Sequence, residues 1–276
     1  MGASGFLGSH LCSFLKVKNT VLRCGRSQKN DIILRKINEK NFSKILKKHS
    51  PNVVINLIAL TDVDLCENKK KKAKEINSEI VKTITYSINK TKLPEKIFFL
   101  QISTDQVYSG EGPHKENFTK PINVYSKTKL NGEKYLKRIN GCAIRTNFLG
   151  KPLQSDKKGL CDWIYRSLKK NKSITVFKNV RFSPLSIKSL CKYIQIIINK
   201  KIPGIFNLGS KNGLSKAEFA LLFAKKLKLN DKLLKVADYK KEHLIAKRPL
   251  DMRMNIKLFE KKFKIKLKSL NSEINL

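Results

Sequence analysis

Tyr125-Ser126-Lys127-Thr128-Lys129 sets a phenol and an ammonium four residues apart, on one face of the chain if the segment is helical. Tyrosine is a poor acid or base near neutrality, with a pKa of about 10. An ammonium one turn away favours the phenolate and is expected to lower that value. Tyr125 could then exchange a proton with a substrate oxygen while Lys129 also grips a ribose hydroxyl. Upstream, the run Gln101-Ile102-Ser103-Thr104-Asp105-Gln106-Val107-Tyr108 closes an apolar stretch. Thr104 at the carboxyl end of a strand would reach the same oxygen, in the crevice where open α/β sheets hold ligands. A third motif precedes both. Gly2-Ala3-Ser4-Gly5-Phe6-Leu7-Gly8 spaces its glycines three and three ahead of a helical stretch. Such a turn brings backbone N–H groups up to a pyrophosphate at a helix N-terminus. A Tyr–Lys pair alone also describes a solvated helix surface in a Lys-rich chain. The three motifs together, in this order, weigh against that.

These side chains need a sheet to hold them. Asn52–Leu60 (NVVINLIAL) and Lys96–Ile102 (KIFFLQI) are continuous apolar runs, as expected of strands buried on both faces of a parallel sheet. Asn19–Leu22 and Ile32–Ile33 are weaker strand candidates, and Ser9–Leu15 and Lys71–Lys90 read as helices. Alternating strand and helix implies βαβ units and a doubly wound sheet. After Gly150 the alternation weakens: Asp162–Lys169, Ser215–Leu229 and Asn255–Phe263 read as helices, Ile174–Phe177 and Gly204–Leu208 as short strands. The glycine turn normally follows the central strand of such a sheet, yet only Met1 precedes it. The reading is therefore a Rossmann-type α/β fold with its first strand missing from this chain. It expects the true start upstream of Met1, which mass spectrometry of the native N-terminus would decide.

Composition bears on partners. The formal charge is +38, from 59 Lys+Arg against 21 Asp+Glu. Nucleic-acid binding is the obvious explanation of such an excess. Yet nine of the 59 are Arg and fifty are Lys, spread along the whole chain. Readers of bases and phosphates lean on the bidentate fork of Arg, so the excess reads as surface composition. A hydrophobic share of 41% with 14 Phe supports a core. No apolar run approaches the ~20 residues of a membrane span. The six cysteines lie far apart with no CxxC pair, against zinc and against a disulfide framework. A reduced cytoplasmic setting is the expectation, with no metal.

With these residues in view, the chain resembles an extended short-chain dehydrogenase/reductase, within it the dTDP-4-dehydrorhamnose reductase group. Gly2–Leu11, Val54–Asp64 with Cys66-Glu67 and Ile76-Asn77, Ser103–Tyr108, Asn123–Glu133, Ile144-Arg145-Thr146, Phe182–Ser186 and Arg248–Asn255 carry the likeness. The last segment and the short length point to the reductase group. The resemblance implies hydride transfer from NADPH or NADH to a 4-keto nucleotide sugar, with Tyr125 as proton donor and Thr104 and Lys129 assisting. It implies a cofactor site from Gly2, Gly5, Phe6, Leu7, Gly8, Arg26, Ala59, Thr61, Tyr125 and Lys129. Sugar contacts fall to Asp105, Asn147, Phe148 and Arg248. Residues 1–147 would form the dinucleotide-binding domain, completed by segments from 181–210, and 148–276 mainly a substrate lobe.

Departures from the family sharpen the reading. Related dehydratases carry Glu where Gln106 stands, and an amide cannot act as a general base. That argues against dehydration. An acidic residue expected after the third strand is replaced by Lys36 or displaced. Around Arg23-Cys24-Gly25-Arg26 no carboxylate is placed for a ribose 2′-hydroxyl, whereas Arg26 suits a 2′-phosphate, which favours NADPH. A sugar-nucleotide epimerase, another nucleotide-sugar reductase and a non-catalytic dinucleotide-binding subunit remain as alternatives, and a homodimer is left open.

Overall fold

The computed structural model describes residues 1–150, 159–240 and 245–274. Four parallel strands form its central sheet, in the order Gly204–Leu208, Gly141–Thr146, Phe98–Ile102, Val53–Asn56. Leu100 lies opposite Ile55 on one side and Cys142 on the other, and Ile144 lies opposite Phe206. Alternate residues face opposite ways, as the period of a strand requires. Phe98, Leu100 and Ile102 enter one core with the helices Phe6–Leu15, Ile187–Lys200 and Lys257–Phe263. Phe99 and Ala143 enter another with Glu39–His49 and Ile80–Lys90. Helices on both faces of a parallel sheet make the doubly wound arrangement. A third core, built on Leu160–Lys169, Lys216–Lys226, Ile174–Phe177 and Leu234–Ala237, belongs to the C-terminal part of the chain.

Beyond Val53–Asn56 the sheet is continued by very little chain. The Met1 carbonyl accepts from Leu57 N–H at 3.2 Å, and Gly2 N–H donates to Cys24 O at 3.0 Å. Cys24–Gly25 pairs in turn with Ile32–Ile33. The place of the expected first strand thus holds Met1 and Gly2 beside an apolar cavity of 580 Å³, with Leu22, Cys24, Val53 and Ile55 in its wall.

Several elements differ from the sequence expectation. The Asn52–Leu60 run is a strand only over Val53–Asn56, after which the backbone leaves the sheet as a loop. Lys71–Lys90 is helical as read, but as Lys70–Lys74, a π-helical turn Glu75–Glu79 and Ile80–Lys90 in unbroken succession. Asn19–Leu22 forms no strand. Among the described residues four α-helices escaped the sequence reading: Glu39–His49, which buries Phe42 and Leu46 one turn apart, Val63–Asn68, Ile187–Lys200 and Leu270–Glu273. Ile174–Phe177 and Gly204–Leu208 stand at the expected residues. No described helix is long and apolar enough to cross a membrane.

Candidate active site

The carboxyl ends of the strands gather the chemistry. Gly5 caps the helix Phe6–Leu15 with no side-chain bond, so the first N–H groups of that helix stay available. Gly2 has φ +74°, and a Cβ there would press on Leu57 C and Ile58 N at 3.2 Å. A Cβ on Gly8 would overlap the Gly2 carbonyl oxygen. The turn and the loop after Val53–Asn56 therefore pack backbone to backbone, leaving a cradle that side chains would fill. Asn77, in the π-helical turn, holds that loop: its Oδ1 accepts from Leu60 N–H at 2.8 Å and its Nδ2 donates to Leu60 O at 3.1 Å. Ala59 and Thr61 flank Leu60. Arg26 is exposed, two residues past the Cys24 carbonyl that receives Gly2 N–H.

Tyr125 and Lys129 share one face of the helix Val124–Glu133, which starts with a capping box between Asn123 and Ser126. Both side chains are buried, at 7% and 5% exposure. The expectation that Lys129 lowers the Tyr125 pKa does not hold. Burial pushes the phenol well above its ordinary value, and nearby Asp105 adds to this while the Thr104 hydroxyl opposes it. The Lys129 ammonium instead donates to Ile102 O at 2.6 Å. Burial lowers its own pKa to about 8, with Glu133 pulling the other way. A phenol that keeps its proton suits an acid better than a base.

Thr104 caps the short turn Asp105–Val107 by accepting from Gln106 N–H at 3.2 Å. Its Oγ1 donates to Asp105 Oδ1 at 3.3 Å, and Asn147 Nδ2 donates to Asp105 Oδ2 at 2.8 Å. Thr104, Asp105, Tyr125 and Asn147 thus form one cluster. Burial pushes the Asp105 carboxyl up, while Asn147, Lys216 and Thr104 pull it down. Two expected sugar contacts are engaged elsewhere. Phe148 meets Phe6 edge-on at 5.7 Å between centroids, on the glycine-turn side. Arg248 pairs with Asp64 at 2.9 Å, and Ala246 N–H donates to the same carboxylate. Ala246 packs in the small cluster with Tyr125 and Cys66.

Beneath the cluster lies a network that spacing did not reveal. Arg145 binds both oxygens of Glu133, with its shortest contact at 2.6 Å, and Ser103 Oγ donates to the same carboxylate at 2.5 Å. Arg145 also donates to Tyr108 Oη at 2.7 Å and Glu116 O at 2.6 Å. Tyr108 Oη donates to Asn207 Oδ1 at 2.7 Å, and Asn207 Nδ2 donates to His114 O and Asn255 O. Each donor finds an acceptor, which is what makes a buried ion pair tolerable. The network fixes the Ser103–Val107 turn against the helix that carries Tyr125. Lys216, also absent from the sequence reading, reaches this region from the start of its helix. Its Ser215–Glu218 capping box marks the helix start, but its direction depends on tertiary packing. Among the described residues no group of three His, Cys, Asp or Glu could hold a metal ion.

Known proteins share this fold. A probable low-salt glycan biosynthesis reductase, Agl14 of Haloferax volcanii, is 24% identical over 231 residues, which cover 79% of this chain and 76% of the relative. A dTDP-4-dehydrorhamnose reductase structure from Clostridium acetobutylicum superposes with a TM-score of 0.86 at 26% identity, covering 99% of this chain and 95% of the other. A dTDP-4-dehydrorhamnose reductase from Bacillus anthracis, in complex with NADP, has the same fold, with a TM-score of 0.86 at 21% identity over 99% and 94% of the two chains. The family model for the RmlD substrate binding domain matches residues 1–276, so this chain belongs to that family of extended short-chain dehydrogenase/reductases.

Proposed function

We propose that this chain reduces the 4-keto group of a nucleotide sugar, as its dTDP-4-dehydrorhamnose reductase relatives are named to do. One observation carries the reading above the others. Tyr125, buried and protonated, stands beside Thr104 with Lys129 one turn on, facing the end of the sheet that holds the glycine turn.

NADPH fits the residues present. The Gly2–Gly8 turn leaves room that a Cβ would take, and the uncapped helix behind it suits a pyrophosphate. Phe6 and Leu7 line that turn, and Ala59 and Thr61 border it from the next loop. Exposed Arg26 is free for a 2′-phosphate, which favours NADPH over NADH. When bound, the cofactor supplies the hydride that reduces the keto carbon.

The protein's own residues do the rest. Thr104 orients the carbonyl by hydrogen-bonding its oxygen. Tyr125 gives its proton to that oxygen as negative charge develops there. Lys129 grips the ribose and offers a positive charge near the phenolate that is left. Asp105 and Asn147 present an acceptor and a donor to the sugar, with Phe148 and Arg248 at the margins. In this reading residues 1–147 serve chiefly the cofactor and 148–276 chiefly the sugar. The lysine excess is solvated surface with no nucleic-acid partner, and the six free cysteines accord with a cytoplasmic setting.

The test is oxidation of NADPH by purified protein given a dTDP-4-keto-6-deoxy sugar, one equivalent per sugar reduced. Retention of a bound cofactor with no net NADPH consumption would point to an epimerase. No turnover of any 4-keto nucleotide sugar would overturn the reading.

A further inference from the structure

Residues 246–250 pack against Tyr125, and Asp64 holds them there. Asp64 stands in the first turn of the short helix Val63–Asn68, whose start Asp62 caps by accepting from Leu65 N–H at 2.9 Å. Its Oδ1 accepts from Ala246 N–H at 2.9 Å, and its Oδ2 accepts from Arg248 Nη2 at 2.9 Å. Asn123 adds a third bond, donating from Nδ2 to Lys247 O at 2.9 Å. The Oδ1 of the same Asn123 accepts from Ser126 N–H at 2.8 Å and so caps the helix that carries Tyr125. Glu67, one turn after Asp64, accepts from Val124 N–H at 3.1 Å. The short helix thus grips the 246–250 strap with one carboxylate and the start of the Tyr125 helix with the other.

These bonds press the strap onto the reacting side chain. Ala246 is 1% exposed and packs in one small cluster with Tyr125, Val63 and Cys66. The far end of the strap is tied beside the C-terminal core, where Leu250 O accepts from Arg181 N–H at 2.6 Å. Residues 246–250 therefore run from the Tyr125 helix to the part of the chain assigned to the sugar. The pair that fastens them keeps contact with water, Asp64 at 30% and Arg248 at 23% side-chain exposure, unlike the buried Arg145–Glu133 pair.

Proton donation to a developing alkoxide gains from a closed site, because expelling water strengthens each polar interaction inside it. A wall on Tyr125 supplies that closure with no contact between Asp64 and the sugar. Resting on the nucleotide-sugar reading of this site, we propose that Asp64 is a positioning residue: through Ala246 and Arg248 it latches residues 246–250 against Tyr125, so that the strap walls the bound sugar and Arg248 serves as its anchor.

Two measurements on the full chain test the latch. Hydrogen–deuterium exchange reads the strap itself. Asp64→Ala should speed exchange across residues 246–250 several-fold, and Asp64→Asn, which keeps an acceptor for Ala246 N–H, should do so less. Adding dTDP-glucose with NADP⁺ should slow exchange there in the native chain and not in Asp64→Ala. In turnover of a dTDP-4-keto-6-deoxy sugar, Asp64→Ala should raise the KM for the sugar about tenfold or more while the KM for NADPH holds. Asp64→Asn and Arg248→Met should each raise it less, and the double variant no further than either alone, because both remove the same ion pair. The inference is overturned if exchange in 246–250 is alike in the native chain and Asp64→Ala, or if dTDP-glucose leaves the native segment unchanged. It is overturned as well if the KM for NADPH rises in step, or if the two single effects add. Where no 4-keto nucleotide sugar is turned over, the reductase reading falls while the exchange measurements still decide the latch.

Discussion

Tyr125 pairs a raised pKa with a place beside Thr104, so under the proposed mechanism it would meet the substrate at neutral pH still carrying the proton it is to give. Tyr125→Phe keeps the ring and removes that proton. The expected result is a fall in kcat of about 10²–10⁴-fold in a chain that unfolds at the native temperature, read from initial rates and a thermal melt. Lys129 gives a second prediction, through stability. Its folded pKa is about 8, below the ordinary lysine value. Below pH 8 both folded and unfolded chains hold the proton, and the contribution is flat. Above it the unfolded chain still holds the proton while the folded chain has released it, so stability rises with pH. The native chain should therefore gain about 1–3 kcal/mol relative to Lys129→Met between pH 7.5 and 10, measured by urea unfolding. A constant difference would refute it. Tyr125, Lys129 and Thr104 were legible in the sequence because their relation is local, set by one helical turn and one strand end. Lys216 was not. It lies far from Asp105 in sequence, and a Ser-x-x-Glu box locates a helix start without saying what its first side chain touches.

At the level of elements, the glycine turn and the buried Arg145–Glu133 pair make complementary demands. The turn admits no Cβ at residue 8, so Gly8→Ala must push the helix Phe6–Leu15 off the Gly2 carbonyl. It should cost about 1–3 kcal/mol and weaken NADPH binding, seen as a lower melting temperature and a smaller NADPH-induced shift. Native-like NADPH affinity in the variant would contradict the cradle. Glu133→Gln leaves the Arg145 charge buried without its counter-ion and should destabilise by about 3–5 kcal/mol in denaturant unfolding. Short strands bounded by turn residues, such as Ile174–Phe177 and Gly204–Leu208, were readable from sequence because apolar alternation and length agree there. Lys71–Lys90 was legible as a helix because its lysines are good helix formers, but nothing in it marks the π turn. That turn is set by packing: a Cβ on Gly132 would meet Asn77 O at 2.6 Å. The helix Ile187–Lys200 was missed although its apolar positions recur at helical spacing.

For the molecule as a whole, the solvated surface that carries the charge of +38 is expected to act through its field on anionic ligands rather than on fold. NADPH and a nucleotide diphosphate sugar are both anions, and a positive field raises their local concentration. The KM for each should rise several-fold between about 0.02 M and about 0.2 M salt, as the screening length shrinks, while kcat holds. Salt-independent KM values would confine the lysines to solvation. The Rossmann-type fold could be inferred from the alternation of elements, whereas the joining of the C-terminal core to the sheet could not, because it runs through Arg145, Tyr108, Asn207 and the chain near His114 and Asn255. That junction has a bearing on cooperativity. The segment Leu250–Asn255 bonds to Arg181 beside the C-terminal core and to His114, and Asn207 holds His114 and Asn255 to the sheet, so opening either core breaks bonds that the other relies on. The two should melt together. The fluorescence of Trp163, the chain's one tryptophan, on the helix Leu160–Lys169, reports the C-terminal core, and far-UV circular dichroism reports the whole. Their unfolding curves are expected to coincide in the native chain and to separate in Glu133→Gln, where the cores would become independent folding units.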